Sequence, residues 1–306
     1  FNNQKGITNL PTEAVWLIAE IFALMSALTY ALGIVSIRKR LDESSFTSVT
    51  VVISIIGAII FWILVPVTVP LNTIDLNGIL LFVLSGALAP GFARLLYFKG
   101  MKELGASINT SIVATNPMIS SLVAVFLLGE HPTPVVWIGM LTVTSGVIMV
   151  GRSTHQGDTA TNVTKLASAY PLVTACFAGL ALVARKMALN VYGEPVMGVA
   201  IGYLTSLFIY LFLLALSSDF RGSTEISKRT LQLFWKGGLC WCLGQLCSFY
   251  ALRYGDVSIV APILNIDPLF VLLFAHLFLK KLEKVSSLLL IGTVTVVIGI
   301  SLITIF

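Results

Sequence analysis

Charge is scarce in this chain. Lys and Arg number 19 and Asp and Glu 14 among 306 residues, 11% together, where a soluble domain carries about 25%. That shortage excludes an ordinary water-soluble fold. Histidine is rarer still, at three residues, and cysteine stops at four. Cys176, Cys240, Cys242 and Cys247 all fall inside apolar runs. Cys240 and Cys242 point to different helix faces with no His nearby, so neither a disulfide framework nor a metal site is expected, and no cofactor is implied. A His-Glu-x-x-His helix, a nucleophile elbow and a glycine-rich phosphate loop are also missing, which removes metalloprotease, serine-hydrolase and ATPase chemistry. No basic stretch is interleaved with aromatics, so the net charge of +5 is not a nucleic-acid signal.

What the chain has in quantity is apolar: 57% hydrophobic residues and a mean hydropathy of +0.96. A spanning helix needs about 20 mostly apolar residues. Ten such windows can be marked: 14–37, 48–69, 76–98, 106–128, 135–150, 165–188, 196–216, 231–252, 257–279 and 285–306. The connecting loops are too short for an aqueous domain. The first window is longer than a signal-peptide core and the segment before it carries just one basic residue, Lys5, so it is expected to be retained. The expected fold is an all-α, multi-pass protein of the cell membrane, with the lipid bilayer as its surroundings, either monomer or homodimer.

An internal repeat organises these windows. Glu130, Gly139 and Gly146 are spaced by nine and seven residues, and Glu283, Gly292 and Gly299 repeat that spacing 153 positions later. Asn116-Pro117 matches Asp267-Pro268 at an offset of 151, and Arg38-Lys39 matches Arg185-Lys186 at 147. The domains read as a leading segment 1–13, a first five-helix repeat 14–150, a linker 151–164 and a second five-helix repeat 165–306. Five spans per copy is an odd number, so the second copy enters the bilayer from the opposite side. Two inverted five-helix repeats are a transporter signature.

Polar residues inside the apolar windows mark the candidate site. Glu20 and Asp267 are the carboxylates well inside such runs. A charge there costs at least ~2.5–3.5 kcal/mol, so its default reading is functional. Pro117 and Pro268 would each open a helix beside Asn116 and Asp267, and open backbone at membrane depth must face protein or a wet cavity. Asn109, Asn116 and Ser120 share one helical stripe; Ser258, Asn265 and His276 share another, with Asp267 almost opposite. Glu20, Ala23, Ala27 and Tyr30 form a small-residue face expected to point inward. Arg94, whose repeat counterpart is Gln245, is either a bidentate anchor for a carboxylate or phosphate or a residue snorkelling to the interface. Tyr97, Trp241, Tyr203 and Tyr250 are candidate walls. The binding set is therefore Glu20, Tyr30, Arg94, Tyr97, Asn109, Asn116, Trp241, Gln245, Asn265 and Asp267, with Glu20, Asp267 and His276 as candidates for coupling to protons. Glu130 and Glu283 are expected to serve helix N-termini.

Ten spans in two halves resemble the drug/metabolite transporter superfamily, and in particular its EamA-type members. The stretch from Arg94 to Ser107, continuing through Asn116-Pro117 to Gly129-Glu130, carries the likeness, as does its partner from Phe249 to Ser258, through Asp267-Pro268 to Glu283. Lys280-Lys281 departs from it by lengthening the second link by two residues. The resemblance implies transport and leaves the cargo open: an amino acid or other small metabolite, exported by alternating access; drugs in multidrug efflux; or a sugar phosphate or nucleotide sugar in exchange. An enzyme fits less well, since an intramembrane aspartyl protease needs two facing Asp and only Asp267 qualifies. A channel lined by one Asp and a few Asn would be unusual. On orientation two arguments collide. Thirteen basic residues lie in the loops after odd-numbered spans against four in the leading segment and the even-numbered loops, which puts both termini outside by the positive-inside rule. The resemblance implies both termini inside.

Overall fold

The computed structural model describes residues 12–38, 40, 43–70, 74–104, 109, 112–153, 165–267, 269–271, 273–274 and 287–305. Every regular element among them is helical. The first half holds α1 (Thr12–Arg38), α2 (Phe46–Thr68), α3 (Leu76–Gly86), a wide π turn (Ala87–Phe92), α4 (Ala93–Leu104), α5 (Asn116–Leu128) and α6 (Pro134–Ser153). The second holds α7 (Lys165–Val191), α8 (Pro195–Leu216), a short α9 (Ser218–Ser223), α10 (Lys228–Tyr254), α11 (Val257–Leu264) and α12 (Ser287–Ile305). The helix starts follow local chemistry. Ser45, Asp75 and Ser227 accept N-terminal amides at α2, α3 and α10, and Pro195 opens α8, where a missing N–H costs nothing.

Five helical stretches are long and apolar enough to cross a membrane: Ala14–Ile37, Phe46–Thr68, Leu76–Gly100, Ala169–Val191 and Pro195–Leu216. Four shorter ones, Asn116–Leu128, Pro134–Met149, Val257–Val271 and Ile291–Thr304, are apolar. The ten windows of the sequence thus do not all appear as full-length apolar helices among the described residues. The physical reasons are visible. The fourth and ninth windows are broken in the middle, and α10 carries Lys228, Arg229, Lys236 and Arg253. Large apolar side chains nevertheless face outward, with Val67 82% and Phe126 83% exposed, as a lipid-facing surface requires.

Helix packing obeys a two-fold exchange. α1 packs on α10 as α7 packs on α3 and α4; α1 meets α11 as α7 meets α5; α2 meets α10 as α8 meets α3. α2 with α8, α5 with α11 and α6 with α12 pair across the exchange. Residues of equivalent position meet there. Ser54 and Ser206 share a hydrogen bond of 3.0 Å, and the repeated glycines of α6 and α12 face one another. A Cβ on Gly139 would stand 3.0 Å from the Gly299 carbonyl, and one on Gly146 would stand 2.9 Å from that of Gly292. Glycine is required at both for backbones this close. Gly139 opposite Gly299 and Gly146 opposite Gly292 also mean that α6 and α12 run antiparallel.

Candidate functional site

The fourth and ninth windows break in the same way. At the first break Thr115 N–H bonds to Ile112 O at 3.2 Å and Met118 N–H to Thr115 O at 3.2 Å. At the second, Ile266 N–H bonds to Ile263 O at 3.4 Å and Leu269 N–H to Ile266 O at 3.0 Å. Each residue is 151 positions from its counterpart. Pro117 sits in the first turn of α5, where the helix restarts. Pro268 lies outside the described residues, as do His276 and Glu283. The breaks bring Asn116 and Asn265 together in a reciprocal amide pair, Asn116 Nδ2 to Asn265 Oδ1 at 2.7 Å and Asn265 Nδ2 to Asn116 Oδ1 at 3.3 Å.

Beside the pair lies a cavity of about 200 Å³. From the first half α1 gives it Tyr30 and Ile34, the π turn Ala89 and Pro90, and α4 Arg94 and Tyr97. From the second, α7 contributes Thr174, Leu182 and Arg185; α10 contributes Trp241, Gln245 and Ser248. Asn116, Asn265 and Asp267 complete it at the broken helices. The π turn is a third break, in which Ala89 takes extended backbone angles. The Tyr210 hydroxyl lies 2.7 Å from both the Pro90 and Gly91 carbonyls. Carbonyls freed from the helix are thereby satisfied, as open backbone inside a bilayer must be.

Two arginines enter this cavity. Arg94 is 5% exposed, its guanidinium 5.2 Å from the Tyr203 ring and 5.5 Å from that of Trp241. It does not snorkel. Arg185, 4% exposed, donates to Ser248 Oγ at 3.0 Å and lies 4.3 Å over Phe249. Among the described residues neither has a carboxylate within ion-pair distance; an exposed pair, Arg229 with Glu43 at 3.6 Å, is found elsewhere. Tyr30 donates to Gln245 Oε1 and meets Trp241 edge-on at 5.2 Å, so Gln245, the repeat counterpart of Arg94, anchors the aromatic wall.

Of the ten residues expected to bind, Tyr30, Arg94, Tyr97, Asn116, Trp241, Gln245, Asn265 and Asp267 line the cavity. Two do not. The inward stripe of α1 is Ala19, Ala23, Ala27 and Ala31, and Glu20 lies one position beside it, half-buried. Asn109 is fully buried and donates to the Tyr97 carbonyl at 3.2 Å, fitting against Gly100, so it ties neighbouring segments together. Asn265 and Asp267 were expected on opposite faces; the break at Asn265-Ile266 voids the helical wheel, and both reach the cavity. The sequence reading missed Arg185, Thr174 and Ser248. Arg185 passed as a residue closing its span, but the stop signal is Gly193 and Pro195, so α7 continues to Val191. Tyr203 supports Arg94 from behind, and Tyr250 stacks on Phe22 at 5.1 Å away from the cavity.

The EamA-like transporter family matches residues 17–152 and again residues 160–305. The chain belongs to that family. It is a multi-pass membrane protein of the drug/metabolite transporter type, with one family unit in each half of the chain. A solved crystal structure aligns over 94% of this chain and 96% of its own, with a TM-score of 0.74 and 14% identity; it shares the fold. No curated protein matches the sequence.

Proposed function

We propose that this EamA-like protein is a secondary transporter, an exporter of a small zwitterionic metabolite such as an amino acid. The observation that carries this reading is the cavity itself. Both halves wall it, and it holds a cationic fork, Arg94, together with a carboxylate, Asp267. A guanidinium pairs bidentately with a carboxylate, and a carboxylate pairs with an ammonium, so one amino-acid backbone meets both. Its volume, about 200 Å³, falls below the ~300–1,000 Å³ of drug-sized sites, which favours a small metabolite over multidrug efflux. Ten spans in two inverted repeats, in the cell membrane, would place the cavity between repeats that rock against one another. Antiparallel α6 and α12 and the two-fold exchange of packing partners support that architecture. With no phosphate loop in the sequence, the driving force is a gradient, and Asp267 is the group in the cavity able to exchange a proton.

Purified protein in proteoliposomes tests this reading. A carrier gives saturable uptake of radiolabelled amino acid and counterflow when the lumen is preloaded. Linear, unsaturable flux with no counterflow would mean a channel, and no flux of any amino acid would discard the cargo class. A sugar phosphate is the second reading, favoured by the second arginine; it would show as exchange of phosphate esters in the same vesicles.

A further inference from the structure

The cavity holds one more cation than an ordinary amino acid can satisfy. Arg94 comes from the first repeat and Arg185 from the second, and both are buried. A guanidinium has five N–H donors. Arg185 spends one on Ser248, and its Nε is buried with no hydrogen-bond partner. Arg94 has Ser54 Oγ at 3.5 Å, beyond normal hydrogen-bond length. Aromatic rings lie against both guanidinium groups, Tyr203 and Trp241 at Arg94 and Phe249 at Arg185, and the N–H edges carry the remaining donors. A buried charge without a counter-ion is expensive, and among the described residues neither arginine has one, so the two charges lining one cavity describe the ligand it would take. Asp267 lines the same cavity and offers a carboxylate to a cationic group.

Resting on the transporter reading above, we propose that the cargo carries two carboxylates and one ammonium: an acidic amino acid, with one carboxylate on Arg94, the other on Arg185 and the ammonium on Asp267. Two cations and one anion in the cavity meet two anions and one cation in the ligand. A phosphate ester would satisfy both arginines but leave its charge facing Asp267 without an ammonium between them. A dicarboxylate lacking the amine leaves Asp267 unpaired, and a neutral amino acid leaves Arg185 unpaired. Arg185 is therefore the residue that sets specificity for the side-chain carboxylate.

The test uses the full chain, purified in detergent, with ligand-induced shift of the melting temperature as one readout and counterflow in proteoliposomes as another. The probes are L-glutamate, L-aspartate, L-glutamine, succinate and glycerol 3-phosphate. Glutamate or aspartate is expected to stabilise the protein at concentrations about ten- to a hundredfold below the others, the worth of one charged hydrogen-bonded contact. Arg185→Gln is expected to lower the apparent affinity for glutamate by a similar factor while leaving that for glutamine unchanged or improved, and Arg185→Lys to restore part of the preference. A merely structural Arg185 would weaken all probes equally, which overturns the proposal, as does stabilisation by glycerol 3-phosphate or glutamine ahead of the acidic amino acids. If Arg185→Gln does not fold, the wild-type ranking of the five probes decides alone. Glutamate binding without counterflow would sink the transporter reading and keep the site; counterflow of glutamine in preference to glutamate would do the reverse.

Discussion

Asp267 and Asn116 occupy equivalent places at the two helix breaks, and only one of them carries a charge. Asp267→Asn makes the repeats alike at this point and preserves side-chain volume, so packing should hold while the partner for a cationic group is lost. Transport is expected to fall at least about tenfold, the worth of one charged hydrogen bond, with the melting temperature little changed. Wild-type flux in this variant at every pH would show Asp267 to be structural. The Asn116–Asn265 amide pair makes a second residue-scale claim. Asn116→Ala leaves the Asn265 amide without its partner and should cost about 1–3 kcal/mol. In the Asn116→Ala/Asn265→Ala double variant the loss should be smaller than the sum of the singles, because the unmet group is gone; additive losses in thermal unfolding would deny the pair any coupling. Eight cavity residues were legible in the sequence because a polar group in an apolar run has to be explained by something. Arg185 was not, because a cation near the apparent end of a span looks like an interface residue. Glu20 and Asn109 fall outside the cavity, because a helical wheel gives a face but not the neighbour it meets.

At the scale of elements, the start of α11 shows how one repeat holds the other. Its N-cap residue Asp256 makes no side-chain cap; Glu130, at the far end of α5, does so instead. Its carboxylate accepts from Val257 N–H at 2.8 Å, from Ser258 N–H at 3.0 Å and from the Ser258 hydroxyl. The sequence showed Glu130 at a loop edge before its own next helix, and spacing alone could not reveal that it serves a helix of the other repeat. Glu130→Ala should cost about 2 kcal/mol, the upper range of a lost cap, seen as a fall of several degrees in melting temperature; Glu130→Gln should cost less. An unchanged melting temperature in Glu130→Ala would remove the cap from the account. Nearby, Lys186 closes the end of α10, donating to the Leu252 and Gly255 carbonyls at 2.9 Å each. Between these groups burial first, then the Glu130 carboxylate, push Asp256 above the usual carboxylate range, with Lys186 opposing. A carboxylate raised in the fold penalises the folded state above its folded pKa, and the penalty disappears below the unfolded value. Asp256→Asn is therefore expected to raise the melting temperature at pH 7.5 and to make no difference near pH 3.5. A gain of equal size at both pH values would point to a cause other than charge.

Taken whole, the molecule turns its repeat into a question of direction. The glycine spacing that disclosed the duplication in sequence is the spacing by which α6 and α12 touch, so the pairing of these two helices was legible in the repeat. The breaks at 114–115 and 265–266 were readable from their prolines; the π turn at Ala87–Phe92 was overlooked, although Pro90-Gly91 marked it. Orientation follows from where the cations end up. Of the four basic residues assigned to the leading segment and the even-numbered loops, Arg185 is inside the cavity and Lys186 turns inward to cap α10, which leaves Lys5 and Arg253 to weigh against thirteen on the other side. Cytoplasmic loops hold the excess of Lys and Arg, so the loop containing α9, with Arg221, Lys228 and Arg229, is expected in the cytoplasm and both ends of the described chain outside. The family resemblance argues for the reverse, which makes the experiment decisive. A cysteine placed at Ser223, in a variant with Cys176, Cys240, Cys242 and Cys247 replaced by Ala, is probed with a membrane-impermeant thiol reagent. Protection in intact cells and labelling after lysis is the expected result; labelling in intact cells would reverse the orientation, and with it the side on which Glu130 fastens the first repeat to the second.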